Sequence, residues 1–575
     1  MDRRSHRWVQ LAIVSAAVLV FLIGNADVQL WDRDEPRFAQ TSRQMLQSGD
    51  WVVPRFLDTV RTAKPAGIYW CQAAAMRVFG DNAFAARLPS VVGVALTIVL
   101  LMAFFGRANV ARGLWAGLVF ATAGLSIASA KMSTADGVLV FFVTVAQLCL
   151  FVLIDGRRVA PALVMGLALG VAGLIKGPVV LGVGATTLLA WWALGKRWRF
   201  AGRGLPRHEP IAAGPEGAGP APQARRPKHL VIVIATTAIV MLIVAAPWLY
   251  LIEQRAPGFL RAAIGHDVIQ RARTGLEGHS GPPGFYLVTV WGTFFPWSLL
   301  LPAALVHAWR RRHLPVTRFA LAAVAGPWVM FELIATKLPH YLLPTFPFLA
   351  YLVADLLVGA ARVTELRSRA FRGVVRAWAV VVVGLGCVAP LGLLLSPGRP
   401  IVLCVGAALV ALVAIGMAWQ VTRSLLGGRF ESAAVGMSAG MLALVAALYG
   451  LYFPHYAPLR ISANVADVIK AHGGYGAFGY MIDYKEPSLA FHAGGGLREQ
   501  RDERFLSRAA PAELPEWVVV TERVWQRLDE EAVKRWRVVG RVNGVAYNDR
   551  GRQKVLVLQN VAPPAKSARI GVFRP

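Results

Sequence analysis

The chain has 575 residues, 56% of them hydrophobic and only 16% charged, and its mean hydropathy is +0.50. That balance excludes an ordinary soluble enzyme, because apolar runs of roughly 18–20 residues, each enough to cross a bilayer, recur along it. The formal charge of +29 would suggest a nucleic-acid partner in a soluble protein, but most of the basic residues sit in short loops between apolar runs, where membrane topology accounts for them.

In chain order, "MDRRSHRWVQLAIVSAAVLVFLIG" has a basic start and an apolar run without a small-residue cleavage site, which predicts a retained first helix. Further apolar segments lie near 88–105, 113–130, 137–154, 159–175, 177–195, 230–252, 285–306, 319–335, 341–358, 377–396, 401–419 and 433–453. With the first helix they predict about thirteen crossings, with Lys176-Gly177-Pro178 as either a kink or a turn. Arg3, Arg4 and Arg7, then Arg157 and Arg158, the linker at 196–229, Arg310 to Arg312, and "RVTELRSRAFR" fall on one side when loops are counted alternately. The positive-inside bias makes that side the cytoplasm and places the N-terminus there. The odd number of crossings puts residues 454–575 outside, which in a bacterial inner membrane is the periplasm.

The predicted domains are therefore a transmembrane unit, 1–453, and an outer α/β domain, 454–575. Within the first, outer loops are expected at 25–87 and 253–284. The loop 25–87 is basic against the topological bias. It carries two short amphipathic helices, "EPRFAQTSRQMLQSG" and "KPAGIYWCQAAAMRVFG", expected to lie on the membrane surface. In the outer domain "PLRISANVADVIKAHG" and "ERVWQRLDEEAVKRW" read as helices, and "YGAFGYM", "EWVVVT", "WRVVGRVNGVAYN" and "KVLVLQN" as strands. The four cysteines, Cys71, Cys149, Cys387 and Cys404, have no metal-type or CxxC spacing.

Polar residues cluster at the predicted outer helix ends. The groups are Asp34, Glu35 and Arg37; Lys64, Pro65, Tyr69 and Trp70; Lys131 and Asp136; His266, Asp267, Arg271, Arg273 and His279; and Glu332, Lys337, His340 and Tyr341. Each has a plain structural alternative: a solvated acidic pair, an Asp cap at 136, a snorkelling Lys337. Glu332 is the least ordinary, since an acid within a membrane helix costs about 2.5–3.5 kcal/mol on insertion scales and needs a partner or a task. All five groups fall on one side under a single topology. Carboxylates with Lys and Arg at an apolar cavity mouth suit a lipid phosphate and a hydroxyl that must lose a proton. No cytoplasmic loop offers a Walker or DxD-like nucleotide site, which argues against a nucleotide sugar or ATP as donor.

The stretch "DRDEPRFAQTSRQMLQSGDWVVPRFLDTVRTAKPAGIYW" resembles the first outer loop of the 4-amino-4-deoxy-L-arabinose lipid A transferases, which group with the protein O-mannosyltransferases among the GT-C glycosyltransferases. The shared landmarks are Asp34-Glu35-Pro36-Arg37, Gly49-Asp50-Trp51, Lys64-Pro65 and the "KLPxYxLP"-type run Lys337–Pro344. The resemblance implies a sugar carried on undecaprenyl phosphate, with Lys64, Arg271 and Arg37 on the donor phosphate. It implies catalytic carboxylates at Asp34 and Asp136, with Glu35 beside them, and Tyr69, Lys337, His340 and Tyr341 around the substrate cavity. Two departures stand out. Ala63 replaces an acid that contributes to a metal site in the family, which leaves His266 and Asp267 as two ligands for a divalent metal without a third. Phe38 stands where the family often has tyrosine. The expected activity is transfer of a sugar from polyprenyl phosphate to a lipid A-like, glycan or protein acceptor at the outer face. The alternatives are a transporter or flippase for an anionic lipid or lipid-linked sugar, which would need more charge inside its helices and inverted repeats, and a membrane scaffold, which would need no Asp34.

Overall fold

A computed structural model describes residues 3–155, 158–200, 227–274, 280–360, 366, 368–396, 398–510, 513–547 and 551–561. Most of the basic linker lies outside them. Among the described residues, eight helices are long and apolar enough to span a membrane, or nine if Val110–Thr122 and Gly124–Ala130, which meet at 66°, form one broken span. The shorter apolar helices His6–Leu22, Ala160–Lys176 and Val179–Gly195 accompany them. The chain is a multi-pass helical membrane protein with a small sheet region near its C-terminal end.

Among the described residues, the first ten helices are α1 (Arg3–Leu22), α2 (Asp34–Ser48), α3 (Gly67–Phe79), α4 (Ala83–Gly106), α5 (Val110–Thr122), α6 (Gly124–Ala130), α7 (Asp136–Asp155), α8 (Ala160–Lys176), α9 (Val179–Phe200) and α10 (Pro227–Arg255). The α5–α6 break is stabilised from outside. The Gly124 N–H donates to the Phe295 carbonyl at 2.8 Å instead of continuing the helix. The apolar run 285–306, expected as one crossing, is interrupted. Helix Phe285–Thr293, a 3-10 turn at Trp297–Leu299 and helix Leu301–Arg310 share it, because Pro296 has no N–H to donate to the preceding turn.

Loop 25–87 also differs from expectation. Helix α2 does not lie on a surface: Phe38, Ala39, Gln40, Ser42, Arg43 and Met45 are all buried. It is wedged between α3 and the C-terminal helix Pro487–His492. Its polar residues are consumed internally. Arg43 donates to Asp81 at 2.8 and 2.7 Å and to the Phe491 carbonyl at 2.7 Å, and Ser42 donates to Gln72 at 2.7 Å. Gly49 ends α2 with φ 69°, a left-handed conformation that glycine adopts without a Cβ penalty.

Lys131, a candidate site residue by sequence, closes the end of α1. Its Nζ donates to the carbonyls of Phe21 and Ile23 at 3.1 and 2.7 Å, groups the helix leaves without internal partners. At the far end of the helix that begins beside His340, Asp355 gathers Arg112, His307 and Arg311 at 3.0, 3.4 and 3.5 Å.

The C-terminal region contains a five-stranded sheet. A short hairpin in the first loop supplies β1 (Arg55–Phe56) and β2 (Thr59–Val60); the sheet itself is β3 (Gly479–Ile482), β4 (Leu497–Gln500), β5 (Trp517–Thr521), β6 (Trp536–Ala546) and β7 (Gly551–Asn560). The order is β4-β3-β5-β7-β6, with β3 parallel to both neighbours and β7 antiparallel to both of its own. Trp517 and Val519 pack on one face and Val518 and Val520 on the other, as the two-residue period of a strand buried on both sides requires. Strand β4, "LREQ", is absent from the sequence reading because Leu497 is its only apolar residue. The expected helix over "ERVWQRLDEEAVKRW" is two short helices, Glu522–Trp525 and Glu530–Lys534. Asp529 breaks it by turning its side chain to accept from the Ala532 N–H at 2.7 Å, as a cap.

Candidate active site

Asp136 is the first residue of α7 and Lys176 the last of α8, and their side chains are in direct contact. An acid at a helix N-terminus and a base at a C-terminus both sit favourably in the helix dipoles. Helix α8 stops there because Gly177 takes φ 77° and Pro178 follows. His340 Nε2 lies 4.0 Å from the other Asp136 oxygen, and Tyr341 lies under the Lys176 ammonium at 5.5 Å.

The first loop reaches the same place. Asp34 opens α2 and is exposed. Asp34, Asp136, Lys64 and Lys176 all lie within electrostatic reach of His340, and Lys64 also acts on Asp136. Arg37 is half-buried one turn beyond Asp34, a spacing that shares a helix face. The approach of Lys64 depends on Gly67: a Cβ there would stand 2.7 Å from the Leu174 carbonyl of α8. Tyr69 is buried, and its hydroxyl accepts from Arg61 Nε at 2.9 Å. The Arg61 guanidinium also lies 5.3 Å from the centre of the Phe38 ring, so the position that tyrosine often fills in the resembled family is covered by a cation.

Other sequence candidates stand apart from this cluster. Glu35 is fully buried and bound on both oxygens. Arg87 donates to it at 2.6 and 2.9 Å, and the N–H groups of Ser133 and Trp31 at 2.8 and 2.7 Å. A carboxylate so enclosed anchors the loop to α4 and leaves no lone pair for a substrate, so its place is structural, contrary to the expectation of a catalytic role. Lys337 is likewise a strut. It pairs with Glu332 at 2.8 Å and donates to the Pro282 carbonyl at 3.1 Å, while Glu332 takes the Gly284 N–H at 2.7 Å. This is the partner the intramembrane acid needs.

Arg271 is joined to the His340 segment through its backbone, its carbonyl accepting the Thr336 N–H at 3.1 Å. His266 and Asp267 fall in the helical turn Gly265–Gln270, but their side chains, and His279 altogether, lie outside the described residues. Among the described residues no three His, Cys, Asp or Glu side chains come together in a metal-holding group.

Lys176 is the site residue that sequence reasoning missed, since Lys176-Gly177-Pro178 reads simply as a breaker. The usable signal was a lysine in the last turn of an apolar helix, where a cation is exposed to whatever the helix end faces.

Residues 9–262 match the family described as dolichyl-phosphate-mannose-protein mannosyltransferase. An undecaprenyl phosphate-alpha-4-amino-4-deoxy-L-arabinose arabinosyl transferase of Pseudomonas paraeruginosa is 32% identical over 385 residues, 65% of this chain and 63% of that protein. The chain resembles the lipid-linked sugar transferases of GT-C type. The counterpart from Yersinia pestis is 29% identical over 64% of each chain. The matched region thus spans under two thirds of the curated GT-C relatives. The crystal structure of ArnT from Cupriavidus metallidurans bound to undecaprenyl phosphate superposes over 96% of this chain and 98% of that one, with a TM-score of 0.69 at 21% identity. This likeness establishes the GT-C fold.

Proposed function

We propose that the protein is a glycosyltransferase that moves a sugar from polyprenyl phosphate to an acceptor at the outer face of the bacterial inner membrane. The observation that carries this reading is the convergence of Asp34, Lys64, Asp136, Lys176 and His340, from separate segments, at one end of the bundle. The curated relatives named for undecaprenyl-phosphate-linked aminoarabinose supply the donor class, and a lipid A-like molecule is the first acceptor to test, ahead of a glycan or a protein. The positive-inside bias of the basic loops supports an outer-side site, in a reading with about thirteen crossings in residues 1–453 and an outer domain at 454–575.

In the reaction, the acceptor oxygen bonds to the anomeric carbon as the bond from that carbon to the phosphate oxygen breaks. The polyprenyl phosphate leaves with the electron pair. Lys64, with Arg271 and Arg37 as further cations, stabilises the charge that grows on the departing phosphate. If the acceptor is a hydroxyl, Asp34 takes its proton; if it is a lipid A phosphate, Asp34 orients the sugar. Asp136 holds Lys176 and faces His340, so it sets the charge around them, with half-buried Tyr341 on the approach; Tyr69, expected at the cavity, is fully buried and does not line it.

Mass spectrometry of lipid A and surface glycans from a deletion strain tests the proposal. One sugar should vanish from one of them while its polyprenyl-phosphate form accumulates. Unchanged lipid A and unchanged surface glycans would sink it. A flippase instead predicts that purified protein moves donor across vesicles and forms no product with acceptor.

A further inference from the structure

Asp32 belongs to the same acidic stretch as Asp34 but serves a different neighbour. Its two oxygens take the Ser488 N–H at 2.8 Å and the Ser488 hydroxyl at 2.5 Å. Its own N–H donates to the Tyr547 hydroxyl at 2.7 Å. Behind Ser488, Ser462 Oγ stands at 2.7 Å, and the Tyr484 hydroxyl stands 2.7 Å from Ser462. Each hydroxyl in that row has one proton, so the sense of the row follows the charge on Asp32. Trp31 packs edge-on against Phe453 and Tyr547, with centroids at 5.3 and 5.9 Å. The titratable groups that face Asp32 are Glu486, Glu35, Tyr484 and Tyr547. Burial, then the charge of Glu486, push its carboxyl up to about 8, against the pull of the Ser488 bonds.

Three residues further on, Glu35 is fastened to the bundle by Arg87 and Ser133. Asp34 lies between a carboxylate held by the C-terminal domain and a carboxylate held by the membrane helices. We propose that the C-terminal domain positions the catalytic turn, Ser488 and Tyr547 gripping Asp32 so that Asp34 is presented to the cleft. This rests on the reading of Asp34 as the catalytic carboxylate. Ser488, Tyr547 and Asp32 are positioning residues: they act on the reaction through the backbone of residues 32–34. The C-terminal domain thereby controls the rate of the transfer step without touching the sugar.

The test uses full-length protein in proteoliposomes with a polyprenyl-phosphate sugar and its acceptor. Ser488→Ala and Tyr547→Phe should each lower kcat by roughly 10–100-fold, the scale on which a misplacement of about 1 Å acts. The donor KM should stay within about twofold, since the phosphate ligands are untouched. Ser488→Thr should recover the rate, and amide exchange over residues 30–37 should rise in Ser488→Ala and Tyr547→Phe. Wild-type kcat in both variants, alongside an inactive Asp34→Asn, overturns the clamp and leaves the enzyme standing. A loss of rate that Ser488→Thr does not recover, with exchange at 30–37 unchanged, also overturns it. An active Asp34→Asn defeats the underlying reading instead. If Ser488→Ala fails to fold, Tyr547→Phe decides, because it removes one acceptor from a partly exposed ring.

Discussion

Asp136 and Lys176 are forty residues apart in the chain and meet as the opposed ends of two packed helices, one side chain against the other. The pair is mostly enclosed, with 13% and 14% of the side chains exposed. Removing one member leaves a charge without its partner, a loss of about 3–5 kcal/mol for buried pairs. Lys176→Met should therefore lower thermal stability more than the double variant Lys176→Met, Asp136→Asn. A double-mutant cycle on melting in detergent checks this; additive effects would show that the contact is not an energetic one.

Asp34→Asn should abolish sugar transfer while membrane insertion and melting temperature stay as in the wild type, since Asp34 is exposed and opens a helix whose other contacts are independent of it. Normal turnover by this variant would remove Asp34 from the mechanism.

Lys64→Ala should weaken donor binding by roughly 10–100-fold, the equivalent of one charge-assisted hydrogen bond of about 1.5–3 kcal/mol. Affinity measured with polyprenyl phosphate alone isolates this effect from the acceptor. Unchanged affinity contradicts the phosphate role.

Glu35→Gln should act on folding before chemistry. The carboxylate and Arg87 are both inaccessible, and neutralising one leaves the other charged in the interior. The expected outcome is poor yield and a lower melting temperature, with residual protein retaining donor affinity. A variant as stable as the wild type would show that the Arg87 charge finds another partner.

The contact between the first loop and the C-terminal domain should depend on pH through two groups of opposite sense. Asp32 has its carboxyl raised to about 8 by burial and Glu486. The folded protein therefore holds a proton that the unfolded chain has released above about 3.9, so this group's contribution falls as pH climbs to about 8 and is constant beyond. His492 is pushed down to about 3 by burial and by Arg87, Arg43 and Arg460. Its contribution is full above about 6.5 and falls as pH drops toward 3. Asp32→Asn should shift the pH of greatest stability upward, read by melting across pH 4–9. An unshifted optimum would show that Asp32 does not titrate in this range.

Hydropathy marks the long helices because membrane burial selects composition over an entire turn pattern, and the first-loop helices end where Gly49 and Gly80 say they should. Local motifs also bring Asp34, Lys64 and Asp136 to notice. Tertiary partners are invisible at that level. Asp32, Asp34 and Glu35 look equivalent in a string of letters, yet one meets Ser488, one is exposed at the start of α2 and one meets Arg87. Lys337 reads as a cavity cation until Glu332 is beside it. The buried face of α2 is hidden for the same reason: it is covered in part by the helix Pro487–His492, more than four hundred residues away in the chain.

The contact of Gly67 with the Leu174 carbonyl makes one hydrogen atom a structural tolerance. A methyl group in its place would act as a wedge between α3 and α8, prising Lys64 away from the lysine at the end of α8 without altering a single charge. Gly67→Ala would therefore separate what the lysines do by proximity from what they do by being charged.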